Sequence, residues 1–337
     1  MSEWAVRPNV LITSAARKVL LVRAFRRALA SVGGGSVLAA DINPLSPALF
    51  EADRASVIPR SNDPGFVEAL LDLCAAEGVG LVVPTRDEEL PILAEARDRF
   101  AAAGTLVLVS NAEAVATCLD KVRFGAAVAA AGLATPQTFG DPATAPLPAF
   151  VKPRTGKGGR GATRVDSRRE LEAAVAAIAG EAIVQELVDA PECTIDVFID
   201  LEGRPISSVP RERVVVVAGE SVVSRTIRDA ELNAATLRLC GSIGLVGHLT
   251  VQAFRTPERI LFIEINPRYG GAANLGFEAG ARTPEFAVRM ARGETVEPRL
   301  EAYEVGLTML RYSDDRFVRA GELEAIARPS SPGESGS

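Results

Sequence analysis

Residues 151–161 read VKPRTGKGGRG and place four glycines among four basic side chains. Glycines allow backbone N–H groups to approach a ligand closely, and Lys or Arg side chains supply positive charge. A phosphate group requires both properties of the loop that binds it. The stretch is therefore a candidate phosphate-binding segment, and the alternative is a mobile hairpin whose basic residues are solvated.

Within this stretch, Gly156, Gly158 and Gly161 satisfy the G-x-G-x-x-G spacing of dinucleotide-binding loops. Such a loop needs a strand before it and a helix that opens on its last glycine. Here PAFVK predicts a strand before the glycines, and ATRV predicts another strand after them, with Asp166 or Ser167 as the N-cap of a following helix. The glycines are thus predicted to join two strands in a hairpin flap, and no Walker-type motif is present.

The composition excludes several classes of function. The 337 residues are 47% hydrophobic and 24% charged, which is typical of a globular chain with two or three packed units. A net charge of −6 and an aromatic content of 5% argue against a nucleic-acid-binding surface. No apolar run approaches the length of a membrane span and no signal peptide is recognised, so a cytoplasmic protein is expected.

Cysteine and histidine usage narrows the chemistry further. The four cysteines lie far apart without C-x-x-C spacing, which predicts buried thiols in a reducing compartment. A single histidine, His248, disfavours a His-rich metal site and a Ser-His-Asp triad. We expect His248 to be structural, at or before the start of a strand.

Strand and helix patterns alternate through the first part of the chain. NVLITS, SVLAADI, VGLVVPT and TLVLVS are typical of apolar strands, with helical patterns between them, which predicts a parallel sheet with helices on both faces. A Pro-rich stretch at 133–149 predicts a loop. The later β-branched runs predict antiparallel strands of an α+β unit, and the final ARPSSPGESGS predicts a disordered tail.

Three further stretches give the flap a specific context: DKVRF around Lys121, VQELVDAPECTIDVF over 184–198, and VQAFRTPERILFIEINPRYGG over 251–271. In this order and spacing the chain resembles the ATP-grasp superfamily, in particular the ATP-grasp units of the carbamoyl-phosphate synthase large chain and single-unit proteins similar to it. The resemblance implies four regions: an α/β pre-ATP-grasp domain over 1–110, a small ATP-grasp lobe with the flap over 111–187, a C-terminal lobe with a metal site over 188–325, and a disordered tail over 326–337.

The same resemblance implies a nucleotide site built from both lobes. Lys121 and Lys152 would bind α- or β-phosphate oxygens, with Lys157 or Arg160 of the flap as further candidates. Glu192 would accept hydrogen bonds from the ribose, and its alternative is an exposed acid in a turn. The remaining implied contacts are those of the flap with the phosphates and of the interlobe link with adenine. They would be made by Gly156, Gly158, Gly159, Gln185, Glu186 and Val188.

A metal site is implied by Glu264 and Asn266, which lie two apart at the end of an apolar strand and therefore face the same side. Their oxygens suit Mg²⁺, with Mn²⁺ as a second candidate. Gln252 would lie beside Glu264 across a hairpin, and whether its neutral amide binds the metal directly stays open. The alternative is a strand with a polar end. Arg268 and Lys152 would be catalytic, with Arg268 directed at the transferring phosphoryl group.

Two arginines outside these motifs are further candidates. Arg225 and Arg228, in SRTIRDAEL, could bind a carboxylate or a phosphate. They are equally well interpreted as solvated arginines before a helix.

The implied function is an ATP- and Mg²⁺-dependent ligase that converts a small carboxylate, such as an amino acid, into an acyl-phosphate for attack by an amine. The chain has room for one ATP-grasp unit, so carbamoyl-phosphate synthesis, which needs two, is not expected. A homodimer is a candidate assembly, and neither nucleic acid nor membrane is an expected partner. Two alternatives remain open: an ATP-binding regulatory protein without turnover, and, from the glycine spacing, an NAD(P)-dependent oxidoreductase.

Overall fold

A computed structural model describes residues 9–156 and 159–327 of the chain. Three sheets follow one another in sequence: a five-stranded sheet, a four-stranded sheet and a six-stranded sheet. The predicted combination of a parallel α/β unit with a later antiparallel α+β unit is confirmed.

The N-terminal sheet is parallel throughout and has the order β3-β2-β1-β4-β5. Its strands are β1 (Asn9–Ile12), β2 (Val37–Asp41), β3 (Arg54–Val57), β4 (Val79–Val83) and β5 (Leu106–Val107). The helices between them are α1 (Val19–Ser31), α2 (Phe66–Glu77) and α3 (Leu90–Ala102). The sequence patterns do not predict β3, because this edge strand buries none of its four side chains completely and so lacks an apolar run.

Two short helices lead from this sheet to the next: α4 (Ala112–Leu119) and α5 (Lys121–Ala130). Asp120 is the N-cap of α5, and its carboxylate accepts hydrogen bonds from the backbone N–H groups of Val122 and Arg123. Such a cap satisfies N–H groups that the helix itself leaves unpaired. Lys121 is therefore fixed at the first position of a capped helix.

The four-stranded sheet is antiparallel, with the order β6-β9-β7-β8. Its strands are β6 (Thr138–Phe139), β7 (Ala149–Pro153), β8 (Thr163–Val165) and β9 (Ala182–Glu186), and α6 (Arg168–Ala177) packs against it. Ser167 caps α6, as one of the two predicted N-cap residues. The sheet has a small core of its own, which separates it from the rest of the molecule.

The six-stranded sheet is antiparallel, with the order β14-β13-β10-β11-β12-β15. Its strands are β10 (Glu192–Ile199), β11 (Pro205–Val217), β12 (Glu220–Thr226), β13 (Gly247–Arg255), β14 (Ile260–Asn266) and β15 (Thr308–Leu310). The remaining helices are α7 (Ala230–Ile243), α8 (Asn274–Glu278), α9 (Thr283–Ala291) and α10 (Ala320–Ala327). The predicted tail therefore begins too early, because residues 326 and 327 end a helix; the rest of it lies outside the described residues.

One face of the six-stranded sheet and the N-terminal sheet share a hydrophobic core. The ring of Tyr269 meets that of Phe25 in α1 edge to face, with centroids 5.7 Å apart, and α1 also packs on α9. Because this core crosses the boundary between the two sheets, they form one packed body. Within the described residues, the structure contains no helix with the length and apolarity of a membrane span.

Candidate active site

A cleft of about 340 Å³ lies between the four-stranded and six-stranded sheets. Most of the residues predicted from the sequence line it: Lys121, Lys152, Gly156, Gly159, Gln185, Glu186, Val188, Glu192, Gln252 and Glu264. Asn266 and Arg268 are not among the lining residues, and Gly158 lies outside the described part of the chain, as does Lys157. One cleft thus collects side chains from positions 121 to 264.

Two ammonium groups dominate one wall of the cleft. Lys152, on β7, is 7% exposed, and its Nζ donates no hydrogen bond among the described residues. Burial, followed by the charge of Lys121, lowers the pKa of Lys152 to about 8, although Glu264 opposes the shift. Burial also lowers the pKa of Lys121, whose Nζ donates to the carbonyl oxygen of Gly156 at 3.2 Å. Within the described residues the buried Lys152 ammonium has no hydrogen-bond partner and lies beside a second ammonium, and this arrangement favours the binding of an anion.

The glycine-rich stretch joins β7 and β8, whose residues pair antiparallel from Ala149 with Val165 to Val151 with Thr163. The predicted hairpin is confirmed, and the glycines do not open a helix as a dinucleotide loop would. Gly156 and Gly159 have φ values of 124° and 67°, which residues with a Cβ rarely adopt. The hairpin therefore uses its glycines to turn the chain at the rim of the cleft.

The base of the flap is tied to the helix that carries Lys121. Arg154 donates from Nε to Asp120 Oδ2 at 2.9 Å and from Nη1 to Glu181 Oε2 at 2.7 Å. The backbone N–H of Lys121 also donates to the carbonyl oxygen of Arg154 at 3.1 Å. These contacts keep the two ammonium groups on one framework.

The link between the two sheets provides polar edges suited to a heterocyclic base. The Gln185 amide nitrogen donates to Thr138 Oγ1 at 2.9 Å and to the Pro136 carbonyl at 3.3 Å, which leaves Gln185 Oε1 as an acceptor. Glu186 Oε1 accepts from the backbone N–H of Gln137 at 3.0 Å, and the backbone N–H of Glu186 donates to the Gln137 carbonyl oxygen at 2.9 Å. Apolar side chains line the same part of the cleft: Phe150, Leu187, Phe254 and Ile263.

Glu192 is held more tightly than an exposed acid in a turn would be. Its Oε1 accepts hydrogen bonds from Arg213 Nη1 and from Gln252 Nε2. Arg213 also donates to the carbonyl of Gly219 at 2.7 Å and to Ser221 Oγ at 3.1 Å. Arg213 is a site residue that the sequence did not reveal, since nothing distinguishes it from the other charged residues of PRERVVVV.

Glu264 and Gln252 are direct partners on neighbouring strands, as predicted. Asn266 lies on the same side of β14 as Glu264, and its Nδ2 donates to Glu264 Oε1 at 2.9 Å. Because Gln252 Nε2 is occupied by Glu192, its Oε1 is the atom available to a cation. One carboxylate and two amide oxygens form a hard donor set that fits Mg²⁺ when phosphate oxygens complete the shell. Consistently, no cluster of three or more His, Cys, Asp or Glu that could hold a metal occurs among the described residues.

Arg268 lies beside the cleft and forms an ion pair with the N-terminal domain. Its Nε and Nη2 donate to the two carboxylate oxygens of Asp87 at 2.6 and 2.9 Å, and Nη2 also contacts Asn266 Oδ1 at 3.2 Å. Thr250 Oγ1 donates to the carbonyl of Arg268 at 3.2 Å, which fixes the backbone. The guanidinium therefore connects the metal-binding candidates with a domain that the motifs do not include.

The two arginines predicted as further candidates lie outside the cleft lining. Arg225 is on β12, the strand that precedes α7, and pairs with Glu212 at 2.7 Å. Arg228 contacts Glu301 at 3.3 Å and lies over the Tyr303 ring. Both are exposed ion-pair residues, Arg225 on β12 and Arg228 between β12 and α7.

His248 is fully buried, as expected of a structural residue, and it lies on β13. Its ring stacks on Tyr269 with centroids 4.0 Å apart, and burial lowers its pKa. The four cysteines are buried thiols. Neither group contributes to the cleft lining.

Comparison with known proteins gives two family matches. The model of the PylC-like N-terminal domain matches residues 10–108, and that of the ATP-grasp domain matches residues 118–272. Acetyl-CoA carboxylase of Dictyostelium discoideum is 25% identical over 135 residues, and this match covers 36% of the chain but 6% of that protein.

Solved structures share the fold at low sequence identity. A biotin carboxylase from Campylobacter jejuni in complex with β,γ-ATP has a TM-score of 0.72 at 16% identity, over 91% of this chain and 75% of that one. The biotin carboxylase domain dimer of the Hydrogenobacter thermophilus 2-oxoglutarate carboxylase, with MgADP, ADP and bicarbonate, has a TM-score of 0.71 at 19% identity, over 89% and 73%. The two family matches show that the chain contains an ATP-grasp domain behind a PylC-like N-terminal domain. The solved structures show that it shares their fold.

Proposed function

We propose that the protein is an ATP- and Mg²⁺-dependent ligase that activates a small carboxylate as an acyl-phosphate for attack by an amine. The observation that carries the proposal is the cleft in which two ammonium groups, Lys121 and Lys152, face the oxygen donors of Gln252 and Glu264. Cations for phosphate oxygens and hard oxygen ligands for a metal thus share one site. The titles of the two similar structures name ATP or MgADP as ligands of those proteins.

The nucleotide and metal would supply the γ-phosphoryl group and neutralise charge on the phosphate oxygens. Lys152 would donate to phosphate oxygens and so acquire the hydrogen-bond partner that its ammonium lacks among the described residues. Glu264 and Asn266 would hold the metal, with Gln252 Oε1 as a third donor. Gln185 and the backbone of Glu186 and Val188 would bind adenine. The flap residues Gly156, Gly158 and Gly159 would approach the phosphates.

In the first step, a carboxylate oxygen forms a bond with the γ-phosphorus while the bond between that phosphorus and the bridging oxygen breaks, which releases ADP. In the second, an amine nitrogen attacks the acyl carbon, phosphate leaves, and the nitrogen loses a proton. Arg268 would stabilise charge on the transferring group, since it lies next to Asn266. The acyl transfer needs no protein nucleophile, and the buried cysteines offer none.

The Glu192 carboxylate is proposed to accept from the ribose hydroxyls. Two donors already share its Oε1, so Oε2 is the atom proposed to accept from the ribose. We further propose small-molecule carboxylate and amine substrates, a homodimer as the assembly to be tested, and domain limits near 110, 187 and 325.

The test is ADP release from Mg²⁺ and ATP with pairs drawn from the standard amino acids, simple mono- and dicarboxylates and primary amines. We expect release that requires both an acid and Mg²⁺, with a condensed product detected by mass spectrometry. Purified wild type that binds ATP but releases no ADP with any pair would contradict the ligase proposal. The variant Glu264→Gln is the matched control for contaminating ATPase activity.

A further inference from the structure

A second region rich in polar contacts lies outside the cleft, at the carboxyl ends of β1 and β4. The sheet order places β1 between β2 and β4. From β1 the chain continues to β2 and β3 on one side of the sheet, and then passes to β4 and β5 on the other side of β1. Crevices at such points are where open α/β sheets bind ligands. The loop from Thr13 to Lys18 follows β1, and the loop from Thr85 to Glu89 follows β4; the two touch, because Thr85 Oγ1 donates to the carbonyl oxygens of Thr13 and Ser14 at 2.9 and 2.8 Å. Together they line the crevice expected at such a point.

The first loop is held in an unusual conformation. Ser14 and Ala16 have φ values of 48° and 43°, which are unfavourable for residues with a Cβ. Hydrogen bonds enforce them: Ala16 N–H donates to Asp41 Oδ2 at 2.8 Å, and Ser14 Oγ donates to Glu89 Oε2 at 2.9 Å. The loop therefore presents Lys18, its last residue, from a fixed backbone.

The second loop is fixed by the same carboxylate. Glu89 is fully buried, and its Oε1 accepts from the backbone N–H groups of Thr85 at 2.6 Å and Arg86 at 3.0 Å. The next residue, Asp87, forms the bidentate ion pair with Arg268. Glu89 thus sets the position of both walls of the crevice, and through Asp87 that of the Arg268 guanidinium.

Lys18 is the unmatched charge in this arrangement. Its ammonium is largely buried, and it has no hydrogen bond or ion pair among the described residues. Burial, followed by the charge of Arg268, lowers the pKa of Lys18 to about 8.

The acids closest to Lys18 already have other partners. Asp87 pairs with Arg268, Glu89 accepts three hydrogen bonds, and Glu220 pairs with Arg311 at 2.9 Å. Among the described residues, the crevice therefore contains a largely buried cation whose neighbouring acids are all engaged by other groups.

We propose that Lys18 binds an oxyanion of the acid substrate, so that the carboxylate lies between Lys18 of the N-terminal domain and Arg268 of the ATP-grasp domain. This inference rests on the proposed function and extends it, because it assigns the acid to a site between a loop of the N-terminal domain, outside the nucleotide motifs, and the Arg268 guanidinium. Arg268 would serve both sites, since Asn266 contacts the same guanidinium from the metal side.

The experiment uses phosphonoacetate, a stable compound with a phosphonate and a carboxylate that mimics the two ends of an acyl-phosphate. Its dissociation constant is measured by calorimetry on the full-length protein saturated with MgADP. We expect binding to wild type and a loss of about tenfold or more in Lys18→Met, as for one charge-assisted hydrogen bond. Lys18→Arg should retain most of the affinity. Arg17→Met is the matched control, because Arg17 is the exposed neighbouring cation.

The affinity of each variant for MgADP shows whether it is folded and whether its nucleotide site is intact. No binding of phosphonoacetate to the wild-type MgADP complex, or equal affinities in wild type and Lys18→Met, would overturn the proposal. The ligase assay separates the two hypotheses. Phosphonoacetate binding that depends on Lys18, without ADP release from any acid, would support the anion site and refute the ligase proposal. Acid-dependent ADP release that is indifferent to Lys18 would do the reverse.

Discussion

Replacing Lys152 by methionine should make the ligand-free protein more stable and weaken its binding of MgATP. Lys152 is 7% exposed, and its pKa of about 8 lies below the ordinary value of 10.5. At neutral pH this difference corresponds to a cost of about 3 kcal/mol for keeping the charge in the folded protein. Methionine keeps the apolar stem and removes the charge. We therefore expect the free energy of unfolding to rise by up to about 3 kcal/mol.

The same substitution removes a phosphate partner. A hydrogen bond to a charged group contributes about 1.5–3 kcal/mol, so MgATP affinity should fall roughly ten- to hundredfold. Thermal and denaturant unfolding with and without MgATP measures both effects. The size of the stability difference between variant and wild type also depends on pH. The cost of the Lys152 charge is present below pH 8 and disappears as the pH rises toward 10.5, so the difference should narrow over that range.

Lys121→Met is the matched control for this experiment. Its Nζ already donates to the Gly156 carbonyl, so its removal should weaken nucleotide binding without the gain in stability. A Lys152→Met protein that is less stable than wild type without ligand, and is stabilised equally by MgATP, would refute the reasoning.

Three further predictions concern the cleft and its surroundings. First, MgATP affinity should fall above pH 8, by up to tenfold per pH unit, because bound phosphate requires the protonated form of Lys152; calorimetry from pH 7 to 9.5 would show a flat profile if this is wrong. Second, Glu264→Gln should reduce Mg²⁺-dependent ADP release by about 100-fold or more while metal-free ATP binding persists, and equal turnover would exclude Glu264 as a metal ligand. Third, Gly270→Ala should destabilise the protein by about 1–3 kcal/mol, since its Cβ would lie 2.7 Å from Thr250 Oγ1; thermal unfolding of the double variant with Thr250→Ala should recover part of this loss.

The parts of the site that lie within one strand or hairpin could be predicted from the sequence. Glu264 and Asn266 share a face because side chains alternate along a strand, and Gln252 faces Glu264 because the intervening residues are too few for any connection but a hairpin. The flap hairpin followed from β-branched residues on both sides of the glycines. These are short-range relations, and local pattern determines them.

Relations between distant segments could not be predicted in this way. Arg213 reaches Glu192 from the neighbouring strand β11, 21 positions along the chain, and Arg268 pairs with Asp87, 181 positions away. No periodicity marks either residue, because an arginine at such a position has the same sequence pattern whether its partner is water or a buried acid. The sequence pattern does not predict strand β12 for a related reason: its residues alternate weakly and end in the charged stretch before α7.

The division of the molecule into cores indicates which groups move relative to one another. The N-terminal sheet and the six-stranded sheet share a core, so Lys18, Arg268 and Glu264 belong to one packed body. The four-stranded sheet, which carries Lys152 and the flap, has a small core of its own. Because few apolar contacts hold this sheet, it is the element best able to change its angle to the rest. Closure of this lobe would bring the ammonium of Lys152 toward the carboxylate of Glu264, whereas the crevice of Lys18 would keep its shape. The buried charge of Lys152 lowers the stability of the small lobe when the cleft is empty. The same charge would attract the phosphates of a bound nucleotide and so favour closure of the lobe.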